Sequence, residues 1–342
     1  MKILLPFQDP YNRPLTNEII SGGTEQFCRS IIDNFDTTVY QFPIEHIKWT
    51  KQSEKIQISN NIINLAEAVK ADVIVCNFAQ AVYNSQHIIK SNIPIMFVEH
   101  CVYPIPNTIY RWNQGIDRGH SIFLVSKWQE KKYKEMAERT NIRVLPIAGY
   151  INPSYCKVKP KMVEPEYDCG TIGRCDNGKS PFKLKTMTKD TDIKSLVITS
   201  KTQYEKDLPY HKKHDHWDNV LWDLPYKEVM ENISKCKTYF STWDKETWGI
   251  TAMEALSCGI PVILNSDKNG DHASEIIPAD KSHYVKIPKD DKDALVKAIK
   301  SFDKIDRKEI QESTWAKHNK EQWKSDFANA IDKTIEKFKK TP

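Results

Sequence analysis

The stretch TYFSTWDKETWGITAMEALSCGIPVILN, residues 238–265, decides how this chain folds. Its first residues, up to Ser241, are β-branched or aromatic and predict a buried strand, and a loop carrying Glu246 follows. A helix carrying Glu254 comes next, and Gly259 with the following Ile-Pro ends it before a second apolar run. A strand, a helix and another strand in this order predict one step of a parallel α/β sheet.

The start of this helix predicts an anion site. Helix N-termini present unpaired backbone N–H groups and the positive end of the helix dipole, which together suit a phosphate. Trp248, Gly249 and Ile250 occupy that position.

The two glutamates also suggest the carboxylate pair of a glycoside hydrolase. Such carboxyl groups sit about 5–9.5 Å apart across one bond. Eight residues of helix span about 12 Å, so the spacing of Glu246 and Glu254 favours two contacts on a long ligand and argues against a hydrolase.

Composition narrows the class of protein. With 342 residues, 39% hydrophobic and 28% charged, the chain suits a soluble protein of two domains. No run of about 18 apolar residues predicts a membrane span, and MKILLPF is typical of a first strand, not of a signal peptide. The eight cysteines form no CxxC pair and predict reduced core thiols in a cytoplasmic protein. A net charge of +5 permits an anionic partner without requiring one.

Short apolar runs alternate with helical spacing and predict an α/β protein of two doubly wound parallel sheets. In the first half we expect helices at 24–34, 60–70, 81–91 and 127–139, and strands at KILLPF, TTVYQF, DVIVCNF, IPIMFVEH, SIFLVS and IRVLPI. In the second half the predicted strands are YDCGTIG, SLVITS, NVLWDL, TYFST, IPVILN and HYVKI. Ligands of such sheets bind at the carboxyl ends of the strands, and a cleft between domains is the expected site.

The domain boundary is expected in the polar segment INPSYCKVKPKMVEPEYD, which contains three prolines. We place the first domain at 1–152 and the second at 153–315. A last helix, capped by Ser313 or Thr314, is predicted to carry an apolar face of Trp315, Trp323, Phe327, Ile331, Ile335 and Phe338.

Glycine is scarce, so its positions are informative. Gly22 and Gly23 precede a predicted helix, where glycines let backbone N–H groups approach an anion, although an ordinary tight turn explains them as well. The spacing is not GxGxxG and does not support a dinucleotide site.

Arg174 follows a strand expected to end near Ile172, with Lys179 five residues on. A guanidinium fork and an ammonium suit a diphosphate, and two solvated loop residues are the alternative.

The chain resembles the retaining glycosyltransferase family 4 and its GT-B relatives. The E-x7-E pattern in ETWGITAMEALSCGIPVI is similar to the family signature. Further matches follow in the family's order: GGTEQF, FVEH at 97–100, FLVSKWQEKKY at 123–133, VLPIAGYI at 144–151 and TIGRCDNGK at 171–179. The resemblance implies a GT-B fold: two Rossmann-like domains with a cleft between them, and a C-terminal helix, 316–342, that crosses back onto the first domain.

This resemblance also implies a nucleotide-sugar donor, by default UDP-glucose or a related UDP-sugar, and a set of donor-binding residues. Arg174 and Lys179 would hold the diphosphate, Glu254 the ribose hydroxyls and Glu246 the transferred sugar, while His100 would lie over that sugar near its anomeric carbon. The remaining donor contacts are expected from Gly22, Gly23, Leu224, Pro225, Trp248, Gly249 and Ile250.

Retaining members of the family have no obvious enzyme nucleophile, so the implied route is front-face displacement in which the leaving diphosphate draws the acceptor proton. The implied catalytic residues are His100, Glu246, Arg174 and Lys179, acting by positioning and charge stabilisation. Cationic side chains and a helix end would replace a metal, so we expect no cofactor and no metal site. Two departures, Lys179-Ser180 for lysine-glycine and Ala148-Gly149 for asparagine-glycine, leave the loop geometry open.

Two other patterns are interpreted as surface features. Asp190-Thr191-Asp192 spells DxD, a metal motif of another transferase class, but it lies in the polar stretch KDTDIK and predicts a solvated turn. The histidines of HKKHDH, residues 211–216, have no cysteine or structured spacing nearby and predict a surface loop.

The acceptor is expected to contact loops 8–21 and 100–120. The second loop interleaves aromatic rings with arginines at Tyr103, Tyr110, Arg111, Trp112 and Arg118. Such groups stack on an extruded base, stack on a sugar or close a core.

The order of a strand, His100 and Tyr-Arg-Trp-Asn is also similar to phage DNA alpha-glucosyltransferases, which modify hydroxymethylated cytosine. It implies double-stranded DNA with modified bases as the acceptor, in a phage-encoded protein of the host cytoplasm. A carbohydrate or lipid-linked acceptor stays open, as does a protein that binds the nucleotide-sugar without turnover. The joint presence of Arg174, Lys179, Glu246 and Glu254 argues against the latter.

Overall fold

The computed structural model describes residues 1–7, 23–41, 56–57, 67, 70–77, 91–100, 115–143, 146–175, 180–201, 217–243, 246, 248–266 and 283–342. These residues form two compact units. The first contains the described parts of Met1–Leu15, Gly22–Ser154 and Glu321–Pro342, and the second those of Tyr155–Lys320. The division after Ser154 lies two residues from the boundary predicted at 152.

The first unit is built on a seven-stranded, all-parallel sheet of order β3-β2-β1-β4-β5-β6-β7. Its strands are β1 (Lys2–Phe7), β2 (Asp36–Gln41), β3 (Ile56–Gln57), β4 (Val73–Cys76), β5 (Ile95–Glu99), β6 (Ser121–Leu124) and β7 (Gly149–Tyr150). Helices α1 (Gly23–Asn34) and α2 (Lys127–Thr140) follow β1 and β6. The central strands β4, β5 and β6 are buried throughout, as expected for strands covered on both faces.

The second unit repeats this plan with a six-stranded parallel sheet of order β10-β9-β8-β11-β12-β13. Its strands are β8 (Tyr167–Cys175), β9 (Ser195–Lys201), β10 (Val220–Trp222), β11 (Cys236–Ser241), β12 (Val262–Ser266) and β13 (Tyr284–Pro288). Its helices are α3 (Lys183–Thr188), α4 (Tyr226–Ile233), α5 (Ile250–Ser257), α6 (Lys292–Ser301) and α7 (Arg307–Lys317). The predicted pair of doubly wound sheets is therefore confirmed.

Two strand predictions are wrong in detail. IRVLPI was expected to form a strand, but its described residues 142–143 and 146–147 lie outside the sheet, and the edge strand β7 begins at Gly149. Strand β8 continues past Ile172 to Cys175, because its pairing with β9 extends to the partners Cys175 and Lys201. The helices predicted at 60–70 and 81–91 lie almost entirely outside the described residues.

The end of the chain forms two helices where one was predicted. The Asp306 side chain caps α7 by accepting hydrogen bonds from two backbone N–H groups, so Ser313 and Thr314 lie inside α7 and cap nothing. His318 leaves the helical conformation, and α8 (Lys320–Lys340) then begins.

The predicted apolar face is divided between the two helices. The Trp315 indole of α7 donates a hydrogen bond to the Ser257 carbonyl of the second unit, whereas Trp323 and Phe327 of α8 pack on α1 of the first unit. The last helix thus returns to the first unit, as the resemblance implies.

Seven of the eight cysteines lie among the described residues, and all seven are buried free thiols, as predicted. Within that same part of the chain, no helix combines the length and hydropathy needed to cross a bilayer.

Candidate functional site

The order of the second sheet brings two predicted segments together. Chain order reverses beside β8, since β9 and β10 extend the sheet on one side and β11 to β13 on the other. Ligands of doubly wound sheets bind at such a switch point, beyond the carboxyl ends of the strands. Arg174 is the last residue but one of β8, and the segment with Glu246 follows the neighbouring β11. We find both at the same edge of the sheet.

Helix α5 begins at this edge. Gly249 is its N-cap, in the left-handed region with φ of 83°, and no side chain among the described residues caps the helix. The Tyr239 hydroxyl of β11 bonds the Thr251 hydroxyl at 2.8 Å and lies 3.4 Å from the Ile172 carbonyl of β8. Strand ends and helix start are therefore fixed to one another. Backbone N–H groups of the first turn point along the helix axis toward its N-terminus and can donate hydrogen bonds to an anion.

Glu246 and Glu254 occupy different surroundings. Glu246 is half-buried and lies ahead of α5, so helical rise does not measure its separation from Glu254, and the spacing argument above does not apply to it. Glu254 is only 5% exposed. Burial raises the pKa of its carboxyl to about 7, and a hydrogen bond from Tyr226 and the nearby charge of Lys157 oppose that rise. The Glu254 carboxyl is therefore a buried hydrogen-bond acceptor of the second unit.

Two of the expected donor contacts, Leu224 and Pro225, precede a residue that contacts Glu254. Leu224 is half-buried against the core, Pro225 is exposed, and α4 starts at Tyr226, whose hydroxyl bonds the Glu254 carboxyl. Leu224 and Pro225 thus directly precede Tyr226, the residue that contacts Glu254.

The first sheet has a corresponding edge. Its chain order reverses between β1 and β4, and β5 lies next to β4. His100 follows β5 and is half-buried, with its ring packed edge-on to Phe27 at 5.0 Å between centroids. Burial lowers the pKa of His100 to about 4, so its ring is neutral near pH 7. Gly23, an exposed residue, is the first of α1, at the switch point of this sheet.

Other predicted residues are not placed together. Arg118 is exposed in the turn before β6. The remaining candidates lie outside the described residues: Gly22, Tyr103, Tyr110, Arg111, Trp112 and Lys179. The three histidines of HKKHDH also lie there. The DxD sequence forms an exposed turn, as predicted, in which Asp192 pairs with Lys300 at 3.1 Å.

Three side chains that contact or influence the candidate residues were missed from the sequence. Tyr226 and Lys157 act on Glu254, and neither belongs to a recognisable motif. Asn77 faces His100, and its position directly after the strand DVIVC could have revealed it, because β4 and β5 end at the same edge. Among the described residues, no group of three metal-ligating side chains is assembled.

Known proteins resemble this chain in sequence over most of its second half and in fold over nearly its whole length. Residues 184–321 match the family described as Glycosyl transferases group 1. No curated protein sequence matches the chain.

Solved structures of glycosyltransferases share the fold over almost the whole chain. A sucrose-phosphate synthase from Thermosynechococcus elongatus has a TM-score of 0.68 at 14% identity, covering 98% of this chain and 99% of its own. HepE from Anabaena, solved with UDP, has a TM-score of 0.68 at 14% identity, covering 97% and 100%. The lipopolysaccharide outer core galactosyltransferase WaaB has a TM-score of 0.59 at 14% identity, covering 97% and 99%.

The matched segment contains α5 with Glu254 and the loop with Glu246, whereas Arg174 lies before it in the sequence. Residues 184–321 are thus similar to the group 1 glycosyl transferases, and the chain has the GT-B fold.

Proposed function

We propose that the protein transfers a sugar, with retention of its anomeric configuration, from a UDP-sugar to a hydroxyl group. One observation carries the proposal: Arg174 lies at the end of β8, and α5 with the buried Glu254 follows the adjacent strand β11, at the switch point of the second sheet. A cation and a helix start suit a pyrophosphate, and a buried carboxylate suits the hydroxyls of the attached ribose. The Anabaena HepE structures, which contain UDP, UDP-glucose or UDP with glucose, support the choice of nucleotide.

In the proposed reaction the bond from the anomeric carbon to the phosphate oxygen breaks, and a bond to the acceptor oxygen forms on the same face. The acceptor proton passes to the departing phosphate oxygen. Arg174, Lys179 and the backbone of residues 248–250 stabilise the charge that develops on the diphosphate. Glu246 and His100 hold the sugar, with His100 as a neutral group because its pKa is about 4.

The leading proposal for the acceptor is a hydroxymethylated base in double-stranded DNA. It is supported by the aromatic and arginine side chains of the loop at 100–120, by the net charge of +5 and by the resemblance to phage DNA alpha-glucosyltransferases. This proposal implies a phage-encoded protein working in the host cytoplasm.

A carbohydrate or lipid-linked acceptor is the second candidate. It is favoured by the names of the similar structures, which include a sucrose-phosphate synthase and a lipopolysaccharide galactosyltransferase.

One assay separates these acceptors. The protein is incubated with UDP-[14C]glucose and, in separate reactions, with hydroxymethylcytosine DNA, unmodified DNA, an oligosaccharide mixture and a lipid extract. Label in hydroxymethylcytosine DNA alone supports the leading proposal, and label only in oligosaccharide or lipid replaces it with the second candidate. The anomeric configuration of the product, read by proton NMR coupling constants, tests retention.

Arg174→Ala tests the donor site. Loss of its guanidinium should reduce transfer about 10²–10³-fold, since it stabilises charge on the leaving group. Arg143→Ala, which removes an exposed arginine of the first unit paired with Asp117, is the matched control and should keep full activity. Full activity of Arg174→Ala would remove the diphosphate role assigned to it.

A further inference from the structure

The side chain of Asn77 connects two elements at the carboxyl edge of the first sheet. It follows β4 directly and is 3% exposed. Its Oδ1 lies 3.4 Å from Nε2 of His100, and its Nδ2 donates to the Cys28 sulfur of α1 over 3.0 Å. One amide thus contacts the histidine at one end and α1 at the other.

These two contacts select one form of the histidine ring. An amide oxygen only accepts hydrogen bonds, so the Nε2 facing Oδ1 carries the ring hydrogen and Nδ1 keeps the lone pair. Without the amide, the two neutral tautomers would differ less in free energy.

Aromatic packing also holds the His100 ring in place. Phe27 meets His100 edge-on, with an angle of 61° between the rings. Phe27 is in turn packed edge-on by Trp323 and Phe327 of α8, at 6.4 and 5.7 Å between centroids. Helix α8 therefore supports the position of His100 through one intervening ring.

The backbone leading to His100 is also held. The Gln129 side chain donates to the Glu99 carbonyl at 2.9 Å and accepts from the Val125 amide at 2.9 Å, which ties the ends of β5 and β6 together. Orientation of the ring about this fixed backbone then depends on the contacts of the side chain itself.

The titratable groups next to this contact are Cys28, which Asn77 bonds and Glu25 influences, Cys76 directly before Asn77, and Glu99 directly before His100. Burial raises the pKa of both thiols, so neither carries charge near neutral pH. With its own pKa lowered to about 4 by burial, the ring is a neutral group whose two nitrogens differ.

We propose that Asn77 is a positioning residue that fixes the orientation and tautomer of His100 for glycosyl transfer. The inference rests on the proposed function, in which His100 contacts the transferred sugar. Asn77 acts through His100 and touches no substrate. Loss of the Asn77 side chain should lower kcat, whereas the second unit should still bind the donor.

Nitrogen NMR of 15N-histidine-labelled protein tests the proposal independently of activity, and His100→Gln identifies the His100 signals among the 10 histidines. The native protein should show the neutral Nε2–H form. Asn77→Ala should show a mixture of tautomers, with kcat reduced about 10–100-fold and KM for the UDP-sugar changed less than about threefold. Asn77→Asp places a carboxylate against Nε2, and the pKa of His100 should rise by at least about one unit.

The matched control is Asn34→Ala, which removes an amide bonded to the Ser30 carbonyl on α1 and should leave the His100 signals and kcat unchanged. Identical His100 signals in the native protein, Asn77→Ala and Asn77→Asp would overturn the inference, as would an unchanged kcat. The nearly isosteric Asn77→Asp keeps the test valid if Asn77→Ala does not fold. Absence of transfer by the native protein would instead refute the proposed function.

Discussion

At the scale of single residues, burial of the Glu254 carboxyl makes folding stability depend on pH. The carboxyl is buried, and its pKa is raised from 4.5 to about 7. The folded protein therefore holds a proton that the unfolded chain releases between these two values. Folding stability of the unliganded protein should fall as pH rises from about 4.5 to 7 and then level off.

Glu254→Gln removes this ionisation while keeping the shape. We expect the variant to be more stable than the native protein at pH 8, by up to about 3 kcal/mol, since one unit of pKa corresponds to about 1.36 kcal/mol. The difference should shrink as pH falls toward 5. Urea unfolding at several pH values measures it, and equal pH dependence in both proteins would contradict the assignment.

The same substitution should weaken donor binding. In the proposed site the ribose hydroxyls donate to the carboxylate, so KM for the UDP-sugar in the native protein should rise as pH falls below about 7. Glu254→Gln should have a higher KM without that pH dependence. Lys308→Ala, which removes an exposed lysine of α7, serves as the control and should follow the native profile.

At the scale of elements, α5 is fixed at its C-terminus by a backbone motif. The Gly259 amide donates to the Leu256 carbonyl at 2.9 Å and the Ile260 amide to the Ala255 carbonyl at 3.1 Å, the pattern of a Schellman end. Gly259 has φ of 75°, and a Cβ there would lie 2.3 Å from the Arg307 carbonyl oxygen. The helix end and the start of α7 pack too closely for any side chain.

Gly259→Ala should therefore destabilise the protein by about 2–4 kcal/mol, through left-handed strain and a backbone clash. Thermal unfolding followed by circular dichroism measures the loss. Glu312→Ala, on the exposed face of α7 with a distant lysine partner at 3.8 Å, should change stability by less than about 0.5 kcal/mol. An unchanged free energy of unfolding in Gly259→Ala would show that α5 and α7 can move apart without cost.

At the scale of the whole chain, the last helix completes the unit formed by the first residues. Phe327 of α8 is 1% exposed and packs against Phe27 and Phe35 at 5.7 and 5.3 Å, and Trp323 stacks on it at 5.3 Å. The Trp323 indole also donates to the Asn152 carbonyl at 2.7 Å. Residues far apart in sequence thus share one core.

Phe327→Ala should destabilise the first unit by about 3–5 kcal/mol, the usual cost of removing a buried phenylalanine. Hydrogen exchange by mass spectrometry should show lost protection in peptides from residues 23–41 and 320–342, with residues 195–201 and 236–241 unchanged. Phe302→Ala, which removes a partly buried ring packed against the core of the second unit, should give the opposite pattern. Equal loss in both units from Phe327→Ala would contradict separate cores.

Sequence alone determined the sheet class, the strands of the second unit and the end of α5 at Gly259, because these depend on local patterns of burial and on backbone conformations that glycine favours. It failed where local signals compete. Ser313 and Thr314 are good capping residues, yet Asp306 caps the helix. The apolar spacing continues through His318, so it gave no sign that one helix ends there.

Only the tertiary structure decided which side chains meet. The contacts of Asn77 with His100 and Cys28, and of Tyr226 with Glu254, join residues whose separation in sequence carries no periodic signal. The order of the strands brings the partners of each contact together within their own unit, and burial then shifts the pKa values of His100 and Glu254. Local sequence fixes each element, whereas the pairing of elements, and with it the chemistry at their ends, depends on how the sheets are ordered.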